Sequence, residues 1–200
     1  MGRIRARLAM ALLPWLVGCA VTTIYSEQPL GEHVAVFKPE EWNGIWVASN
    51  GSFDRIRVTD AENGMLAWGF KDGLCDTVPG TKPDKFRQSG SWYFLAPAAV
   101  EDGARYPTRS AFFRQGDALA LYNVDEARVR ELVEKGALPG RIEESTSRLH
   151  DKDVVLAPLT HEQYRVLLPQ KQPPFDWQPV FVLVKLPPEL DPCKPAVPVK

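Results

Sequence analysis

The 200-residue chain predicts a mainly β fold (β-rich α+β): an antiparallel barrel or sandwich of about eight or nine short strands with two short helices. Three observations lead there. Short apolar runs recur between turn signals along most of the chain. Phe53–Thr59 alternates, with Ile56 and Val58 on one face and Arg55 and Arg57 on the other, the period-2 pattern of a half-buried strand. Strands and helices do not alternate regularly, which argues against a doubly wound parallel sheet.

The elements follow in order. Residues 20–40 have little periodicity and read as a tether with a short strand at His33–Phe37. Ile45–Ala48 is the first strand of the domain and Phe53–Thr59 the second. Asn63-Gly64 favours a type I′ turn, although Asp60–Glu62 lengthens the loop, and Met65–Phe70 returns antiparallel. Residues 71–90 read as loop, from Asp72-Gly73, Pro79-Gly80 and Lys82-Pro83-Asp84. Trp92–Leu95 is an aromatic strand. Arg109–Arg114 and Ala118–Val124 form a second hairpin about Gln115-Gly116-Asp117.

Asp125–Lys135 lacks Gly and Pro, opens on the acids Asp125 and Glu126, closes on Lys135 and is followed by Gly136, so a helix is expected there. Its apolar positions Ala127, Val129, Leu132 and Val133 form a stripe suited to packing on a sheet. Val154–Ala157 is a short strand. Thr160 and Gln163 fit a capping box opening a helix from His161 to Leu168, which Pro169 closes. Val180–Leu186 is the last strand, and the Pro-rich tail 187–200 is expected to be irregular. The predicted organisation is a leader at 1–18, a tether at 19–40, a β-rich domain at 41–186 and the tail.

The apolar fraction is 44% and the charged fraction 24%, enough to build a globular core. The formal net charge is −1, but its distribution is uneven. Arg3, Arg5 and Arg7 stand in a leader without acids, so residues 19–200 carry 21 Lys/Arg against 25 Asp/Glu. With no basic stripe, nucleic acid is not an expected partner.

Leu8–Val17 is an uncharged apolar run of ten behind those arginines. A membrane-crossing helix needs about 20 apolar residues; ten is the length of a signal-peptide core. The run ends in Leu16-Val17-Gly18-Cys19, which resembles the lipobox of bacterial lipoprotein precursors. The resemblance implies that the Cys19 thiol receives a diacylglycerol group, that a type II signal peptidase cuts after Gly18, and that the new amine is acylated. The N-terminal acyl chains would then make the membrane a partner. Ala20, where an Asp would favour inner-membrane retention, implies the outer membrane, facing the periplasm.

Gly44-Ile45-Trp46 resembles the Gly-x-Trp of lipocalin-like calycins, in which the Trp plugs the closed end of a barrel that holds an apolar ligand. The resemblance covers three residues, and the Asp125–Lys135 helix interrupts the hairpin series. Trp46, Trp68 and Phe94 are the expected lining of an apolar pocket; the competing expectation is an ordinary β core.

Little else points to chemistry. His150-Asp151-x-Asp153 places an imidazole beside two carboxylates, but lacks a second His or Cys at ligand spacing and reads as a solvated turn. His161-Glu162 begins a His-Glu-x-x-His pattern, yet Arg165 stands where the second His is needed. There is no Gly-x-Ser-x-Gly elbow and no phosphate loop. No metal or cofactor is expected. Cys75 and Cys193 are the thiols left after Cys19, and in an oxidising compartment they are expected to pair, with two unpaired thiols as the alternative. The leading expectation is a non-enzymatic binding or envelope accessory module with envelope proteins as partners. A carrier of a small apolar ligand and an envelope hydrolase with a hidden site are the alternatives.

Overall fold

A computed structural model describes residues 23–70, 82–96, 105–145, 152–168 and 179–191. In chain order its elements are β1 (Thr23–Ser26), β2 (His33–Val34), α1 (Pro39–Trp42), β3 (Gly44–Ala48), β4 (Phe53–Asp60), β5 (Met65–Phe70), β6 (Asp84–Ser89), β7 (Trp92–Ala96) and β8 (Tyr106–Pro107). There follow β9 (Ser110–Gln115), β10 (Ala118–Asn123), α2 (Glu126–Glu134), β11 (Gly140–Glu144), β12 (Lys152–Leu156), α3 (His161–Leu167), β13 (Phe181–Lys185) and a 3₁₀ turn at Pro188–Leu190.

The protein is mainly β, and its main sheet is an eight-stranded antiparallel barrel. β3, β4, β5, β6, β7, β9 and β10 each pair with the next. β13 pairs with β10 on one side and β3 on the other, closing the ring. β2 adds to the outer edge of β6. Alternation decides what faces inward. Trp46, Ile56, Leu66, Phe86, Tyr93, Phe112, Leu119 and Leu183 fill the interior, joined by Phe37 and by Trp42 from α1. The hairpins form where turn chemistry predicts them. Gly116-Asp117 makes a two-residue turn with Gln115 opposite Ala118. The β4–β5 loop, Ala61–Gly64, is longer than two residues, and Gly64 has a φ of 65°.

A second, four-stranded sheet runs β11-β12-β1-β8, with β1 parallel to β12. It shares a second core with α2, α3 and the outer wall of the barrel: Ile24, Leu30, Val154 and Leu156 meet Val129 and Leu132 of α2, Tyr164 and Leu167 of α3, and Phe94 and Ala111 of β7 and β9. Both predicted helices form. Asp125 caps α2 by accepting the Arg128 N–H, and Thr160 and Gln163 make the reciprocal capping box of α3. Of the α2 stripe, Val129, Leu132 and Val133 are buried while Ala127 is exposed.

Three expectations are corrected. The tether read over 19–40 gives way to folded chain from Thr23: β1 is an inner strand, and Leu30, Ala35 and Phe37 are buried. The loop read over 71–90 contains β6 at its end. The tail read from Pro187 includes a 3₁₀ turn, and Asp191 reaches Arg55 of β4 at 3.9 Å.

Candidate functional site

The barrel interior is the first place to look for a site, and aromatic rings occupy it. Trp68 lies 4.9 Å from Phe112 and 5.7 Å from Phe86, centroid to centroid. Phe37 stacks on Tyr93 at 5.8 Å and meets Trp42 edge-on at 4.7 Å. The space left among Phe37, Trp42, Ile56, Leu66, Trp68, Phe86, Tyr93, Phe112 and Leu119 is about 10 Å³. That is room for about one water-sized sphere, and apolar walls of this kind stay dry. Indole N–H groups are satisfied at the margins: Trp46 Nε1 donates to the Trp42 carbonyl at 3.0 Å, and Trp68 Nε1 donates to Asp84 at 2.6 Å.

The three predicted pocket residues part company. Trp46 and Trp68 belong to the barrel interior, and only Trp68 borders the residual space. Phe94 points out of the barrel into the second core. Tyr93, its neighbour, takes the inward position beside Phe112. Trp42, near these rings in sequence but not among the three expected pocket residues, also borders the space. It is 2% exposed, on a four-residue helix that Pro39 opens, and α1 lays its ring across the barrel end where β3 begins.

Above that end lies a shallow polar recess of about 260 Å³. It is formed by Glu41 of α1, by Gln88, Gly90, Ser91 and Tyr93 at the β6–β7 turn, and by Arg114 and Gly116 at the β9–β10 turn. The Arg114 guanidinium sits 4.6 Å over the Trp42 ring. It donates to Glu41 at 2.9 Å and, through Nε, to the Gly116 carbonyl at 3.0 Å. Burial pushes the Tyr93 hydroxyl above its ordinary value. Burial also pulls the ammonium of Lys185 below its ordinary value; it donates to the Glu40 carbonyl at 2.8 Å. Each cation is already held by the protein's own oxygens, so the recess is built as a braced lid on the barrel.

A second polar cluster joins the barrel wall to α3. Ser89 Oγ–H donates to one oxygen of Glu32, and the other oxygen meets His161 Nδ1. These bonds hold the Glu32 carboxyl below its ordinary range, the Ser89 hydroxyl first and then His161. The order of the three matters. A serine nucleophile needs an imidazole within reach as its base, with the carboxylate behind it. Here the carboxylate stands between the two, and a carboxylate of lowered pKa is a poor base for a hydroxyl proton. The group works as a clamp. Beside it Tyr164 Oη accepts the Gly31 N–H at 2.7 Å, while Arg87 donates to the Gly31 and Glu32 carbonyls at 2.9 and 3.2 Å.

Of the other residues that the sequence singled out, Cys19, Cys75, Cys193, His150 and Asp151 lie outside the described residues. Asp153 is buried on β12, opposite Thr23 and Glu143. His161 begins α3, as its first-turn reading predicts. Among the described residues, no three His, Cys, Asp or Glu side chains gather as a metal set. No described helix is long and apolar enough to cross a membrane. No family model, curated protein or solved structure matches the chain.

Proposed function

We propose that this protein is a lipid-anchored, periplasm-facing accessory module of the bacterial envelope, attached through Cys19 at the outer membrane and acting by binding envelope partners through its outer surface. The observation that carries the binding role is the filled barrel. Rings from β5, β6, β7, β9 and α1 take up the interior that a carrier would reserve for its ligand. The attachment rests on the arginine-rich leader, the ten-residue apolar run and Leu16-Val17-Gly18-Cys19. The test of attachment is metabolic labelling with palmitate. The full-length chain should label and sediment with membranes, and C19A should do neither; label retained by C19A overturns the reading.

A small-ligand carrier is the second reading, favoured by the all-apolar border of the residual space. It requires at least one ring to swing aside on binding. Saturable uptake of a fluorescent fatty-acyl probe by the parent protein would favour it over the accessory module, and its absence would favour the module.

A further inference from the structure

The proposed mature chain folds almost from its first residue. β1 begins at Thr23 and is an inner strand, held by β12 on one side and β8 on the other. With Cys19 as the lipid-bearing residue, the reading on which this inference rests, only Ala20, Val21 and Thr22 separate the acyl chains from that strand. Four residue steps span at most about 14 Å fully extended. A small domain is roughly 30 Å across. Such a leash cannot hold the domain away from the bilayer, and it also fixes which end of the domain meets it.

The register identifies that end. Thr23 is level with Asp153, and Glu144 is level with Lys152. The Thr108 N–H donates to the Ile24 carbonyl, and the Val124 N–H to the Arg109 carbonyl. The Thr23 end of the second sheet therefore gathers Arg109, Glu144 and Lys152, with Arg109 and Glu144 exposed and Lys152 half-buried. Arg109 also leads into β9, whose far end carries Arg114 beneath α1. The α1 end of the barrel is thus the end remote from the leash.

We propose that the Thr23 end of the domain rests on the phospholipid headgroups, with Arg109 and Lys152 reaching lipid phosphates, and that the α1 end with its polar recess is presented away from the membrane. The long stems of Arg and Lys suit this boundary, since they carry charge to the headgroup level from a body lying flat on it. Glu144 in the same place offsets part of that attraction, so the leash and not a basic patch sets the contact. Membrane proximity and orientation are then properties of the first few residues.

Photocrosslinking in membranes tests this. A benzophenone amino acid is placed singly at Arg109, Glu144 or Lys152, and at Glu62 or Asp117, exposed turn residues at the α1 end. Radiolabelled phospholipid adducts should form at the first three positions, at least tenfold above the last two. A ten-residue Gly/Ser insertion between Val21 and Thr22 should cut those adducts several-fold. Uniform or reversed adducts in palmitate-labelled protein overturn the docking alone, and so does an insertion without effect. A parent chain that takes no palmitate overturns the anchor reading, and the docking falls with it.

Discussion

Phe112 touches both halves of the aromatic interior: its ring lies 4.9 Å from Trp68 and 6.0 Å from Phe86, and the residue borders the small residual space. Deleting the ring should open a dry apolar cavity where a tightly filled one stood. We expect Phe112→Ala to destabilise by about 3–5 kcal/mol in urea unfolding and to gain binding of benzene, detectable as ligand-dependent stabilisation. An unchanged stability would mean that the interior is loosely packed. At this scale the sequence was partly legible. Trp46 carries the Gly44-x-Trp46 motif, whereas Trp68 lies in the uniformly apolar run Met65–Phe70 and is placed inward only as one of several rings. Phe94 was placed on the wrong face because Trp92-Tyr93-Phe94-Leu95 is apolar throughout. With apolar neighbours on both faces, period 2 leaves no mark, and only the second core outside the barrel explains why both faces are apolar. Trp42 counts among the aromatic rings in the sequence but not among the expected pocket residues, because its helix is a single turn, too short for any periodicity to place it.

Elements were legible where turn chemistry or capping signed them. The β4–β5 and β9–β10 hairpins and the capped helices α2 and α3 stand where the sequence put them. β6 was missed because Asp84-Lys85-Phe86-Arg87-Gln88-Ser89 contains one apolar residue. Phe86 faces inward, while Arg87 and Ser89 are spent on the Gly31–Glu32 segment and on Glu32 itself. β1 was missed because its four residues are defined by neighbours distant in sequence, β12 and β8. Gly31 shows how tightly this outer seam is drawn. Its φ is 109°, and a Cβ there would lie 2.4 Å from that of Arg87. The Glu32 clamp makes the seam acid-sensitive. Its carboxyl is held below the ordinary glutamate value of 4.5 by Ser89 and His161. The stabilisation is therefore present above that value and is lost as pH falls through the lowered folded one. Urea unfolding between about pH 6 and pH 3 should show the parent losing stability more steeply than Glu32→Gln. Parallel curves would show that the clamp contributes nothing.

For the whole molecule, the β-rich class and a barrel as one of two expected architectures were legible from many short alternating runs. The closure was not, because it depends on β13 finding β3 across most of the chain. Nor was the second sheet, whose strands come from three separate stretches of sequence. The tail bears on the remaining thiols. Asp191 lies at Arg55, and Arg55 is opposite Gly69, one residue before β5 ends. The chain toward Cys193 thus departs close to the strand whose continuation leads to Cys75. If the chain is exported as proposed, we expect the two to form a disulfide. In the chain-entropy account, closing a loop of this length contributes about 3–5 kcal/mol. Mass measurement after alkylation without reductant should find both thiols blocked, and two alkylated cysteines would overturn the pairing.

The closing strand also has a kinetic consequence. β10 ends at Asn123 and β13 begins at Phe181, so residues 124–180, with α2, β11, β12 and α3, must be made before the ring can shut. Until then a seven-strand sheet carries two bare edges, β3 and β10, each offering unpaired backbone groups to any passing strand. Late long-range pairing of this kind slows folding and prolongs the aggregation-prone phase. Every molecule passes through that open state before Phe181–Lys185 is in place. Premature termination anywhere before Phe181 would leave it there permanently.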